Sequence, residues 1–404
     1  MVIKQKTSPH IDLLVKRGVL FKNAISQAPW TYPSHASMLT SQYPSALGYK
    51  IEPLGVLSTP YSILPKNAET LAEILRRSGY FTGGFVGGGP VGSRQGFSQG
   101  YSIYNEKVSN NLQTRYNTLR NWITLHQKEK FFLFFHTFEV HDYKDNGKVE
   151  SQISSYDEKI KAVDAFIGML ENFLKRLSLE KKTLVIITSD HGEEFYDHGF
   201  KGHGYSLYDE MLNVPLIFYM PGTVPENKII TQQVSLVDIM PTILDILDIP
   251  ANKNLEGVSL SSFSDNKIKD RIAYSEGTSF KEWIKKINPT SVRTNNYKFI
   301  EYPLLSKEFL NELSQRKFLH SHFNANSYQK NVEHELYNIS NNPKELNNQM
   351  INDESLVAKF SKKIETFKLK NQRKWQEINK GNQVQQIEMD EETRNRLKAL
   401  GYLQ

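Results

Sequence analysis

Two stretches of this chain are apolar at every position: Phe131-Phe-Leu-Phe-Phe135, and the run Thr183-Leu-Val-Ile-Ile-Thr188 between its threonines. A strand with one face in water alternates, whereas a continuous apolar strand needs cover on both faces. Pro215-Leu-Ile-Phe-Tyr219 is a third candidate. Between the first two, Ile160, Val163, Phe166, Ile167, Leu170, Phe173, Leu174 and Leu177 recur at three- and four-residue spacing, the stripe of an amphipathic helix. Residues 70–77 and 236–247 read as two further helices, the second opening near Asp238 with Pro241 tolerated in its first turn. Strand, helix, strand in succession predicts an α/β fold, a mostly parallel sheet flanked by helices.

After about residue 260 the texture changes. Ile272-Ala-Tyr-Ser275, Thr290-Ser-Val-Arg293 and Tyr297-Lys-Phe-Ile-Glu301 are short and β-like, with a tight hairpin expected around Asn295-Asn296. A polar helix follows from about Glu354 to Phe367, then a last amphipathic stretch ending at Leu400-Gly401. The expected organisation is a catalytic α/β domain over residues 1–260 and a smaller α+β subdomain over 261–404.

Both apolar strands empty into chemistry. Thr188 is followed by Ser189-Asp-His-Gly-Glu-Glu194, then Asp197-His198-Gly199 and Lys201-Gly-His203, which puts three histidines and four acidic residues within fifteen positions. Ligands of open α/β sheets gather beyond the carboxyl ends of strands. Asp190 offers a hard oxygen and His191 an imidazole, a pair suited to Zn²⁺, Mn²⁺ or a similar divalent ion. Phe135 leads into His136-Thr-Phe-Glu-Val-His141, where His141 lies beyond the strand and is the better site candidate. Gly87-Gly-Gly89-Pro-Val-Gly92 matches a dinucleotide-binding glycine pattern only formally. Pro90 breaks the turn, no helix pattern opens after it, and no acidic ribose partner follows. The remaining candidate is Thr31, with Pro33 and Ser34 able to start a helix whose free N–H groups favour an anion. A threonine hydroxyl is a poor nucleophile until a base or a metal activates it, so Thr31 needs a partner such as the Asp190/His191 cluster.

Composition excludes several classes. The chain has no cysteine, hence no disulfide, zinc-thiolate site or cysteine nucleophile. A formal charge of +6 spread over 404 residues does not suggest nucleic-acid binding, though it suits anionic substrates. No apolar run nears the ~20 residues of a membrane span. Residues 1–8 lack the apolar centre of a signal peptide, so the chain reads as soluble and, by default, cytoplasmic, with any signal or anchor having to lie ahead of Met1.

Taken together, the motifs resemble the sulfatase family of the alkaline phosphatase superfamily. Its nucleophile motif C/S-x-P-S-R followed by A-S-x-L-T is similar to Thr31-Tyr-Pro-Ser-His35 followed by Ala36-Ser-Met-Leu-Thr40, and its metal-binding S-D-H-G to Ser189-Asp-His-Gly192. Weaker likenesses run in order from Ser8-Pro-His-Ile-Asp12 to Leu397-Lys-Ala-Leu-Gly401. The resemblance implies Thr31, His35, His141 and His203 as catalytic residues, Ser34, Lys201 and His198 as substrate contacts, and Asp190, His191 and Thr31 as ligands of a divalent ion (Mn, Zn, Ca or Mg).

Two departures shape the functional expectation. Sulfatases proper oxidise Cys or Ser at the nucleophile position to formylglycine; threonine would give a ketone, which hydrates far less readily, so no formylglycine is expected. An unmodified threonine serves superfamily branches that transfer phosphoryl groups, such as phosphodiesterases and phosphoethanolamine transferases. The expected activity is therefore hydrolysis or transfer on phosphate mono- or diesters, borne by a small anionic, lipid-linked or glycan-linked substrate. The alternatives are a sulfuric ester hydrolase and a non-catalytic anion- or partner-binding relative. The family also places an N-terminal strand with one or two acidic metal ligands ahead of the stretch matched by Ser8–Asp12. That strand is not in this sequence, which implies a truncated or misassigned start and two open sheet edges.

Overall fold

The computed structural model describes residues 7–51, 56–57, 63–106, 111–144, 147–263, 268, 271–277, 288–302, 334–348, 353–380 and 391. The chain divides into two compact units. One comprises Met1–Lys22, Glu69–Thr188 and Pro215–Ile230; the other comprises Asn23–Ala68, Ser189–Val214 and Thr231–Gln404.

In the first unit, strand Phe81–Phe85 pairs in parallel with Ile103–Asn105 on one side and with Phe131–Phe135 on the other. The helical stripe read from Ile160 to Leu177 lies within one long helix, Val149–Arg176. Its Phe166, Phe173 and Leu174 join Tyr116, Leu119 and Trp122 of helix Leu112–His126 in a core that Phe131, Leu133, Phe135 and Val185 cover. The same helix buries Asp164, whose carboxylate accepts from the backbone N–H groups of His10 (3.2 Å) and Ile11 (2.8 Å), leading groups of helix Pro9–Lys16. Helix Leu71–Arg77 opens on a capping box in which Thr70 and Glu73 satisfy each other's backbone N–H groups.

A four-stranded sheet has the order Lys228–Ser235, Val19–Ile25, Asn213–Tyr219, Val185–Thr188. Val185–Thr188 runs antiparallel to Leu216–Tyr219, with Thr188 opposite Leu216 and Val185 opposite Tyr219. The strand–helix–strand reading would have put Phe131–Phe135 and Val185–Thr188 in parallel register. Instead each stands last in the order of its own sheet among the described residues. An antiparallel neighbour needs only a return of the chain, and residues 189–212 supply it. Both strands are half-exposed at every position, where full burial was expected from their composition.

In the second unit, Ala273–Glu276, Thr290–Arg293, Tyr297–Glu301 and His334–Asn338 form an antiparallel sheet in that order. The hairpin expected at Asn295-Asn296 joins its second and third strands. Helix Glu354–Ile378, eleven residues longer than its polar pattern suggested, lays Phe360 and Ile364 on Val292, Phe299 and Leu336. The last amphipathic stretch, ending at Leu400-Gly401, lies outside the described residues. Lys298 of this sheet is wholly buried; its ammonium lies 2.9 Å from Asp209 and 3.0 Å from Glu345, and Arg293 forks onto the same aspartate. Residues 236–247 form a 3-10 turn, Leu236–Asp238, followed by helix Ile239–Ile246 with Pro241 in its first turn. Among the described residues no helix is long and apolar enough to cross a membrane.

Candidate active site

Strand Val19–Ile25 ends at Ser26, and after the extended residue Trp30 the chain enters helix Thr31–Thr40. All ten residues of that helix are buried, although six of them carry hydroxyl or imidazole groups. Burial is tolerated because most of these groups are bonded back into the unit, Ser37 Oγ being the exception. Thr40 Oγ1 donates to the Ala36 carbonyl, and Ser34 Oγ donates to the Asp190 carbonyl at 2.6 Å. Ser26 Oγ reaches the same carbonyl at 2.5 Å. Two hydroxyls on one carbonyl oxygen fix the backbone of Asp190 against the helix's first turn.

Gly192 makes the next step of the loop. A side chain there would put its Cβ 1.9 Å from the Glu210 carbonyl oxygen, and the Gly192 N–H donates to the Met211 carbonyl at 2.8 Å. Only glycine lets the two backbones approach so closely. This seats His191, whose Nδ1 lies 2.8 Å from the Gly192 carbonyl. A carbonyl cannot donate, so Nδ1 carries the proton and the neutral ring keeps its lone pair on Nε2. That nitrogen stands 3.3 Å from Thr31 Oγ1 and 3.5 Å from Asp190 Oδ2. Burial lowers the pKa of His191, and His203 adds to the effect while Asp190 opposes it, which favours the neutral ring. His35 Nδ1 donates to the Thr31 carbonyl at 2.8 Å and lies 3.3 Å from Asp190 Oδ2.

A short hairpin completes the cluster. Glu194–Phe195 pairs with Lys201–Gly202, so Glu193 and His203 flank the end of the ladder. The ring of His203 stacks on His191 with centroids 4.6 Å apart, and its Nδ1 faces the Glu193 carboxylate at 3.2 Å. Lys201 has its pKa lowered by partial burial.

The structure thus brings together Thr31, Ser34, His35, Asp190, His191 and His203, with Lys201 two residues from His203 on the hairpin. His198 is engaged elsewhere: its ring stacks on Tyr208 with centroids 3.6 Å apart, and Nδ1 bonds closely to Glu210. Burial opposes its protonation, but Glu210 outweighs it and the pKa rises. His141 belongs to the other unit, where its ring meets Phe138 edge to face. Ser26, Glu193 and Glu210 were not singled out from the sequence. Glu193 stood inside the acidic run, whereas Ser26 carried no signal beyond its place at a strand end.

Two groups invite a metal. Glu194, His198 and Glu210 bring ligand atoms within 4.8 Å of one another, but those atoms are already bonded. Glu194 accepts from the N–H groups of His198 and Phe200 and from Ser206, and His198 bonds to Glu210. They brace the hairpin. The second set is Thr31 Oγ1, His191 Nε2 and Asp190 Oδ2. Ligands held about 2.1 Å from one ion stand about 3 Å or more apart, and the 3.3 and 3.5 Å separations here match that spacing. One carboxylate, one imidazole and one hydroxyl suit Zn²⁺ or Mn²⁺ better than Ca²⁺, which takes six to eight oxygens.

Comparison with known proteins gives the family. Residues 4–249 match the family model described as Sulfatase, and residues 195–317 match N-sulphoglucosamine sulphohydrolase, C-terminal. Arylsulfatase K of Bos taurus is 37% identical over 147 residues, 34% of this chain and 26% of that protein; the matched stretch spans about a quarter of the relative's length. The ulvan-active sulfatase of Formosa agariphila is 25% identical over 64% of this chain and 60% of its own. The endo-4-O-sulfatase of Bacteroides thetaiotaomicron is 24% identical over 59% and 62%. Among solved structures, one described as a 2-O GAG sulfatase superposes with a TM-score of 0.70 at 19% identity, covering 97% of this chain and 91% of that one. With the nucleophile-position motif and the Asp190-His191 loop meeting in one cluster, and the family model spanning most of the chain, this protein belongs to the sulfatase family.

Proposed function

We propose that this chain hydrolyses sulfate monoesters carried on a glycan, with Thr31 as the attacking hydroxyl. The observation that carries the reading is the 3.3 Å contact between Thr31 Oγ1, at the first turn of a buried helix, and the lone-pair nitrogen of His191. The named relatives favour sulfate over the phosphate esters that an unmodified threonine alone suggests, and the glycan is carried over from names such as ulvan-active sulfatase.

Asp190, His191 and Thr31 would hold a divalent ion, which when bound lowers the hydroxyl's pKa and neutralises ester oxygens, a contribution on the order of several kcal/mol. The other roles belong to the chain's own groups. His35 grips the Thr31 carbonyl, and Ser26 and Ser34 grip that of Asp190, so Oγ1, Nε2 and Oδ2 keep their relative positions before substrate arrives. The positive end of the Thr31–Thr40 helix dipole and the charge of Lys201 favour a sulfate over a neutral ester. Thr31 Oγ1 forms a bond to sulfur as the bond from sulfur to the sugar oxygen breaks. The Thr31 hydroxyl proton passes by way of His203 Nε2 to the departing sugar oxygen, and water then hydrolyses the threonine sulfate ester to sulfate, returning a proton to Thr31 Oγ1.

The test is turnover of an aryl sulfate and an aryl phosphate by the wild type and by Thr31→Ala, with accurate-mass spectrometry of protein quenched during turnover. The expected result is sulfate release, a sulfate adduct on Thr31, and loss of both in the variant. Full activity in Thr31→Ala would refute the nucleophile. A phosphate adduct with no sulfate turnover would return the assignment to phosphate esters, the reading that the unmodified threonine itself favours.

A further inference from the structure

We propose that Glu193 is a positioning residue for His203: it holds the proton on Nδ1 and so commits the ring's chemistry to Nε2. The inference rests on the catalytic reading of His203 above. It starts from the hairpin register. Glu194 stands opposite Gly202, so the residues one step beyond each, Glu193 and His203, are neighbours at the end of the ladder. Gly202 has φ +87°, a left-handed conformation that glycine adopts without strain, and a Cβ there would stand 3.5 Å from Glu193 Oε1. The turn of backbone at Gly202 is what delivers the imidazole to the carboxylate.

The contact is made on both oxygens. Nδ1 lies 3.2 Å from Oε2 and 3.5 Å from Oε1, and both side chains are about nine-tenths buried. An ionised carboxylate only accepts, so Nδ1 must be the donor. The face of the ring is meanwhile spoken for by His191, stacked at 4.6 Å with 29° between the planes. With one nitrogen on Glu193 and one face on His191, the ring has a single orientation and presents Nε2 as its working atom. Free imidazole prefers no such arrangement; the carboxylate imposes it, as a partner behind a functional histidine commonly does.

The test compares the wild type with Glu193→Ala and with Glu193→Met, which keeps the side chain's length while removing the acceptor. In ¹⁵N-labelled protein, long-range ¹⁵N–¹H correlation, with His203→Gln used to assign the signal, reports which ring nitrogen carries the proton. The wild type is expected to show a protonated Nδ1 and both variants to lose it. Turnover should fall about 10- to 100-fold in kcat, the usual cost of removing a histidine's outer partner, with KM little changed, and Glu193→Gln, whose amide oxygen can still accept, should restore both readouts in part. Retention of the Nδ1 proton in a folded Glu193→Ala or Glu193→Met would overturn the proposal. If Glu193→Ala fails to fold, Glu193→Met and Glu193→Gln decide by the same spectrum. A lost Nδ1 proton with unchanged turnover would uphold the positioning contact and refute the catalytic reading of His203 instead, so the two failures are distinguishable.

Discussion

Glu194 should make the hairpin that carries Lys201 and His203 weaken as pH rises, and the size of the effect follows from its surroundings. The carboxyl is buried, and burial together with the neighbouring Glu210 pushes its pKa from 4.5 up to about 7, against the pull of the Phe200 and His198 N–H groups. The folded chain therefore holds this proton more tightly than the unfolded chain. Its stabilising contribution is complete below pH 4.5, declines between pH 4.5 and about 7, and is gone above. At about 1.4 kcal/mol for each pH unit separating the two values, the loss is about 3 kcal/mol. Glu194→Gln removes the ionisation and keeps the bonds: its amide oxygen still accepts from the His198 and Phe200 N–H groups, now at 3.0 Å from Oε1, and its amide N–H can donate to Ser206 Oγ. Chemical denaturation of both proteins from pH 4.5 to 8 should give equal stabilities at the acid end, with the variant more stable by about 3 kcal/mol at pH 8. Other groups titrate in both proteins and largely cancel in the difference. Two curves that run parallel across this window would refute the reasoning.

Lys298→Met removes a wholly buried ammonium from between Asp209 and Glu345 and leaves Glu345 without its cation. It should cost about 3–5 kcal/mol by denaturant titration, while Lys362→Met, from an exposed pair with Glu365, should stay within about 0.5 kcal/mol. Gly192→Ala sets a Cβ 1.9 Å from the Glu210 carbonyl oxygen, a backbone atom with nowhere to retreat. It should abolish the site or the fold, and a melting temperature within a degree of wild type would contradict the close approach.

What the sequence made legible was local, and what it hid was long-range. The polar run after Thr188 was readable because an apolar strand ending in aspartate and histidine has few other uses. The helix at Thr31 was readable from Pro33 and Ser34, and its resemblance to a known motif paired it with Asp190 and His191. Nothing in the residues themselves could show that a helix of threonines, serines and histidine would be buried along its whole length. Its periodicity is nearly featureless, and its burial depends on partners such as the Asp190 carbonyl, 156 positions from Ser34. The same limit explains the sheet. Apolar composition told that Phe131–Phe135 and Val185–Thr188 were strands, but pairing is decided by where the chain goes next, and residues 189–212 return Asn213–Tyr219 in antiparallel register with the second of them.

The expected division of labour among the histidines shifts for a similar reason. His198 and His203 both follow the Ser189–Glu194 run and look equivalent in sequence, yet the hairpin between them places each beside a different carboxylate. His198 meets Glu210 and stacks on Tyr208, where its bonds hold the hairpin's outer end. His203 meets Glu193 and stacks on His191, beside Thr31. A hairpin whose ladder pairs Glu194 with Gly202 thus separates one histidine that braces from one that can act. The acidic residues that decide the matter, Glu193 and Glu210, were visible only as part of a charged run. The chemistry of this site consequently lies as much in which carboxylate backs each imidazole as in the imidazoles themselves.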